Sequence, residues 1–446
     1  MKKILLFLIF ISNCFAAEVK DVGERKMSAE IEGQQFGSPQ TQSEIVNQQD
    51  ALGNTPLHKA VNENDKWIVA LLLTAGANPW IKNLEGKTPK DLAKSGEIGD
   101  LLQDYEDLWV QNGEDLVAAA LIGDSKKVAE ILRSRFVDVN YQTIHSYAPF
   151  YNATPLITAL RMINSNSDRF EQYLKIINML LQAKADVNIR DGRGLTALMW
   201  AASRDLPDIV RILIDNGAIV DLQDYFGDTV LKWLANYKEN KNILEIIKIL
   251  LDAKANPNTQ NKFGSTPLTA AIENRFPEMV NLLIKAGADV NVKNANGDTP
   301  LITTIDKLSS GRYWKTYEEI IKLLLNAKAD VNITNKEGHS ALFLTIPSRN
   351  ENIVKMLLKN GANVNLQSKI GKTVLMIAAF TGQEDIAELL IDAGADINLK
   401  DINGETAKDI AKNRGRSNIV DLISKIEEKE HLERIREIER ESSILD

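Results

Sequence analysis

Between residues 371 and 398 the chain reads GKTVLMIAAFTGQEDIAELLIDAGADIN, with its apolar side chains in two groups at helical spacing. Leu375, Ala378 and Ala379 share one face of a first short helix, and the Thr373 hydroxyl is placed to cap its start. Ile386, Leu389 and Leu390, three and four residues apart, make the stripe of a second helix. Gly382 and Gly394 follow the two ends, where a residue without Cβ takes the left-handed conformation at little cost. Asp396 to Asn398 and then KDINGE predict an extended turn back to the next cap. Two short helices cannot cover both of their apolar faces, so a pair of this kind needs copies of itself as neighbours.

The copies are present. Following the Thr or Ser that stands two residues after a Gly, with Asn152 once in place of Gly, gives Thr55, Thr88, Thr154, Thr196, Thr229, Thr266, Thr299, Ser340, Thr373 and Thr406. The steps are 33, 66, 42, 33, 37, 33, 41, 33 and 33 residues, and the step of 66 holds two units, because residues 114–140 supply one without Thr-Pro. The expectation is an all-α chain of about eleven stacked helix pairs, running from Gly53 to the region of Lys425.

With GNTPLH at 53–58 and AGADVN at 286–291, repeated with small changes, the sequence resembles the ankyrin repeat family over roughly 370 of its 446 residues. That resemblance implies an ankyrin-repeat solenoid over about 51–428: a curved stack of helix pairs with hairpin fingers along one edge. It also implies that the chain binds other proteins and carries no catalysis, cofactor or metal.

Departures from the pattern are informative. The units beginning near Thr154, Thr229 and Thr299 are longer than 33 residues, with inserts at 161–174, 232–242 and 306–319 between first and second helix. The same three units carry Lys184, Lys254 and Lys328 where the units between have Gly217, Gly287 and Gly361. Insert and lysine alternate with the plain form, as duplication of a two-unit block would leave them, and all three inserts are expected to project opposite the fingers. The finger at 141–153 has six extra residues and carries Tyr141, His145, Tyr147, Phe150 and Tyr151; other finger turns add Tyr225, Phe226 and Phe263. Aromatic rings in exposed loops serve as rigid anchors for a partner, or else fold back over an imperfect join between units. Trp200 and Phe343 on first helices are accounted for by packing as well as by recognition, whereas Phe380, just past the paired alanines, suits contact better. The candidate partner-binding residues are therefore Tyr141, Tyr147, Phe150, Tyr151, Tyr225, Phe226, Phe263 and Phe380.

The ends change the picture of where the protein acts. Residues 1–16 place Lys2 and Lys3 before an apolar run from Ile4 to Ile11, the parts of a secretory signal, and that run is too short for a membrane-spanning helix. Cleavage after Ala16 and lipidation at Cys14, the end of ISNC, are the two processing routes this segment offers. Residues 17–50 are rich in Gln, Ser and Glu and are expected to be a flexible linker; 429–446 form a charged tail continuing the last helix. Cys14 is the single cysteine, so cleavage leaves no disulfide, thiolate nucleophile or cysteine-bound metal. Without Lys2 and Lys3 the chain has 51 basic against 61 acidic side chains, a net of −10, which disfavours nucleic acid and anionic membranes as partners. The histidines His58, His145, His339 and His431 lie far apart with no metal-ligand spacing, and no serine elbow or phosphate loop is present. The expected function is a non-catalytic, monomeric binding scaffold, exported to the periplasm or cell envelope of a bacterium. Alternatives are a regulator or inhibitor of a secreted enzyme, or a secreted factor acting on a host protein.

Overall fold

The computed structural model describes residues 46–134, 137–143, 152–165, 167–237, 239–308 and 313–442. They divide into two compact units, one ending at Gly192 and one beginning at Arg193. The signal segment lies outside the described residues, as does most of the expected linker. Its last residues, 46–50, are part of the packed chain instead: Val46 is buried with Leu57, Leu72 and Ile98 in one apolar cluster.

The first unit contains helices α1 (Pro56–Asn62), α2 (Lys66–Thr74), a 3₁₀ turn (Lys90–Leu92), α3 (Gly96–Ile122), α4 (Ser125–Ile131), α5 (Pro155–Met162) and α6 (Phe170–Gln182). The second contains α7 (Ala197–Ser203), α8 (Pro207–Asp215), α9 (Val230–Leu234), α10 (Lys241–Asp252), α11 (Pro267–Glu273), α12 (Pro277–Lys285), α13 (Pro300–Leu308), α14 (Trp314–Asn326), α15 (Ala341–Thr345), α16 (Glu351–Lys359), α17 (Val374–Thr381), α18 (Glu384–Asp392), α19 (Ala407–Asn413) and α20 (Ser417–Ser442). Within the second unit first helices pack on first helices, α7 on α9 and so on to α19, and second helices on second helices from α8 to α14 and from α16 to α20. The described residues contain no strand, only an isolated bridge between Thr334 and Ser340.

The repeated residues do what their spacing predicts. Thr266 Oγ1 accepts from Thr269 N at 3.2 Å and Thr373 Oγ1 from Met376 N at 3.3 Å, each capping a first helix. His58, wholly buried, accepts from Thr55 N through Nδ1 at 3.1 Å. That leaves Nε2 as the protonated nitrogen, 3.0 Å from the Lys87 carbonyl, so this histidine ties one unit to the next. The closing asparagine of each Val-Asn phrase has a similar duty. Asn332 donates to Gly361 O at 3.0 Å and accepts from Asn363 N at 2.7 Å, and Asn365 repeats this with Gly394 O and Asp396 N at 3.1 and 2.8 Å. Lys184, Lys254 and Lys328 stand at φ of 64°, 66° and 63°, the left-handed conformation glycine holds in the units between.

Two features differ from expectation. The helix pair of residues 114–140 is present but does not begin after a finger, because α3 runs unbroken for 27 residues through Asn112 and Gly113, which resemble a finger turn in sequence. The second helix of one unit and the first of the next are fused, and the finger between them is missing. The inserts, expected simply to project, in part lengthen the second helix: α6, α10 and α14 have 13, 12 and 13 residues, against nine in α8, α12, α16 and α18.

Candidate functional site

Each finger of the second unit is closed by one polar side chain at its base. Asp224 Oδ1 accepts from Phe226 N at 2.8 Å and Asp228 N at 2.9 Å, while Gly227 turns at φ 82°. Asn261 Oδ1 does the same for Phe263 N and Ser265 N at 3.0 and 2.9 Å. With the backbone of the turn satisfied from inside, the residues between base and glycine point outward. Tyr225, Phe226 and Phe263 are accordingly 55%, 61% and 70% exposed. Adjacent fingers are joined by Lys262 N donating to Phe226 O at 3.0 Å and by Gln223 Nε2 donating to Gly227 O and Gln260 O at 2.7 and 3.1 Å. A Cβ on Gly194 would meet Tyr225 N at 2.8 Å, so the preceding finger lies directly against that tyrosine. The three rings thus stand on a hydrogen-bonded ridge rather than on a loose loop.

Behind Phe263 lies a hollow of about 360 Å³, its walls including Lys232, Ser265, Thr269, Glu273, Asn296 and Thr303. Lys232 is committed to Asp228 at 3.0 Å, and Asp228 also accepts from Asn261 Nδ2 at 2.8 Å. The lining is therefore largely polar, with Lys232 and Asn261 both engaged by Asp228. A second hollow, about 380 Å³, lies between the insert residues Asn236, Tyr237 and Glu239 and Arg275 of the following helix pair. There burial, with Glu278 and Glu319 close by, raises the Glu239 carboxyl above the usual range.

Phe380, 40% exposed, ends α17 beside the finger bases, with the Arg414 guanidinium 4.0 Å and the Lys372 ammonium 5.7 Å from its ring centre. One unit earlier His339 is stacked on Phe343 at 4.3 Å, and Trp200 carries Arg193 at 4.9 Å. Sequence reasoning missed Lys372 and Arg414. Arg414 is 34 positions beyond Phe380, and only the packing of one unit on the next brings them together.

Tyr141 corrects the sequence-based list, because it is 8% exposed and so unavailable to a partner. Its ring covers Gly113 of α3, where a Cβ would come within 2.4 Å of it, and its hydroxyl lies 3.4 Å from Glu114 Oε1. A glycine in a helix interior leaves a flat patch of backbone, and the first ring of the long finger fills it. Tyr147, Phe150 and Tyr151 lie outside the described residues. Of the insert aromatics, Tyr173 and Tyr317 are buried, while Tyr313 and Trp314 remain exposed, Tyr313 beneath Arg275 at 4.2 Å. Among the described residues no group of three or more His, Cys, Asp or Glu side chains is arranged to hold a metal ion, and no helix is long and apolar enough to cross a membrane.

The sequence profile of "Ankyrin repeats (3 copies)" matches residues 167–246, 237–314 and 308–401, and that of "Ankyrin repeat" matches 52–84. The chain belongs to the ankyrin repeat family. Among curated proteins it is 32% identical over 190 residues to the B-cell lymphoma 3 protein homolog of Mus musculus, covering 40% of this chain and 39% of that protein. It is 31% identical over 188 residues to the neurogenic locus notch homolog protein 1 of Homo sapiens, covering 42% of this chain and 6% of that one. A stretch of 186 residues is 24% identical to the transient receptor potential cation channel subfamily A member 1 of Homo sapiens, 40% of this chain and 16% of the channel subunit. The chain therefore spans less than half the length of these relatives. This ankyrin-repeat chain is an all-α stack of the kind used for protein interaction.

Proposed function

We propose that the protein is an exported, non-catalytic scaffold that captures a partner protein on the finger ridge and the neighbouring face of its first helices, acting as a monomer in a bacterial cell envelope. The observation that carries this reading is the ridge of Tyr225, Phe226 and Phe263, large rings held out on fingers whose backbones are hydrogen-bonded to one another. Exposed rings on a rigid support lose little conformational freedom on binding, the property that makes aromatic residues dominate contact energies. Lys2, Lys3 and the apolar run after them support export.

The test combines Tyr225→Ala, Phe226→Ala and Phe263→Ala in the mature chain and captures partners from the cell envelope of the source cells. Exposed positions of this kind change stability within about 0.5 kcal/mol each, so the melting temperature should hold while capture falls at least about tenfold. Unchanged capture would remove the ridge from the interface, and absence of any specific partner would remove the scaffold reading itself.

A further inference from the structure

Phe380 is a partly exposed ring with two cations against it in a chain that is acidic as a whole. Its ring carries Arg414, the residue just past the end of α19, at 4.0 Å and Lys372 at the finger base at 5.7 Å. Among the described residues neither cation makes an ion pair, and the acidic side chains nearby in sequence are occupied elsewhere. Glu405, at the place on the next finger that Lys372 holds on its own, accepts from Asn413 Nδ2 at 2.7 Å. Asp409 accepts from Thr406 Oγ1 at 2.7 Å and Thr406 N at 3.0 Å. Asp401 is buried, with Oδ1 taken by Asn403 N and Glu405 N at 2.9 and 3.1 Å, and its other oxygen has no partner, Lys372 included.

A cation resting on a ring face is held in place and partly stripped of water, yet keeps hydrogen-bond donors for an oxygen anion. Two such cations against one ring that is still 40% exposed offer an apolar surface next to two carboxylate positions. We infer that the Lys372–Phe380–Arg414 cluster is a docking point for an acidic segment of the partner protein, an apolar side chain lying on Phe380 between carboxylates of neighbouring Asp or Glu residues. This assigns a chemistry to the partner and rests on the scaffold reading above.

The test uses the full mature chain and a fluorescently labelled eight-residue peptide of alternating glutamate and leucine, with the glutamine-for-glutamate peptide as its neutral counterpart. Two exposed ion pairs are expected to favour the glutamate peptide about tenfold, with Lys372→Ala and Arg414→Ala each weakening it about three- to fivefold. The double variant should bind both peptides alike, and the preference should shrink as salt is raised to screen the charges. Lys315→Ala, which removes the cation lying 5.5 Å from the Trp314 ring centre on an insert, should leave the preference untouched. Equal affinity of wild type for the two peptides, no measurable binding of the glutamate peptide, or the same loss in Lys315→Ala would overturn the assignment. The two readings fail separately: a cellular partner captured equally by wild type and the double variant removes only the acidic docking point.

Discussion

At the scale of single residues the strongest constraint is backbone geometry at the end of each second helix. Lys254 and Lys328 adopt the left-handed conformation at a turn where Gly287 and Gly361 adopt it without a Cβ. A side chain there costs on the order of 1 kcal/mol. Lys254→Gly and Lys328→Gly are therefore expected to raise stability by roughly 0.5 to 1 kcal/mol each, the gain trimmed by the extra freedom glycine brings to the unfolded chain. Urea unfolding of the single and double variants measures this, and because the sites are far apart in sequence the effects should add. His339 supplies a second prediction. Burial against Phe343 is the main influence on it and lowers its pKa, with Glu337 and Asp298 acting in the opposite direction. The folded state then binds its proton less readily than the unfolded chain does. Stability from this group is intact above the unfolded value of about 6.5 and is lost as pH falls through it toward the lower folded pKa. Imidazole titration by NMR should place the His339 midpoint below the ordinary imidazole value of about 6.5, and His339→Gln should flatten this part of the stability profile.

At the scale of elements, caps, stripes and glycine turns were readable in advance because each depends on residues a few positions apart. Thr373, Leu375, Gly382 and Leu390 specify their helix pair through local geometry, and the pair forms as the pattern predicts. The fusion within α3 was not readable in that way. Asn112 and Gly113 have the chemistry of a turn, and Gly in a helix interior is disfavoured by about 1 kcal/mol relative to Ala. They are held in the helix by burial of Trp109 and Leu116 on either side and by the cover Tyr141 provides, contacts from residues far along the chain. The same contact withdrew Tyr141 from the candidate surface, while the exposed Tyr225, Phe226 and Phe263 were legible because a short turn with its base satisfied can only direct them outward. Tyr141→Ala should therefore destabilise the first unit by about 2 to 4 kcal/mol and leave partner capture by the folded protein unchanged. Thermal melting paired with capture below the transition separates the two effects.

At the scale of the whole molecule, a stack is a chain of neighbour interactions, and its cooperativity depends on every junction being of similar strength. Most junctions in the second unit are made twice, by helix packing and by finger backbones such as Lys369 N to Glu337 O at 3.1 Å and Ile402 N to Ile370 O at 3.2 Å, and in the first unit Leu84 N donates to Leu52 O at 3.1 Å in the same way. Where α3 runs through, the second kind of link is absent among the described residues, and that helix and its packing join the first two helix pairs to their successors. Deuterium should accordingly enter the amides of residues 46–94 as one early block, ahead of those in α5 and α6, when exchange is monitored under conditions that keep the protein folded. A junction that lacks its finger link need not melt together with its neighbours: the leading segment of the first unit can detach and re-dock while α5 and α6 stay assembled, so that a pull on the amino-terminal end would be taken up there first.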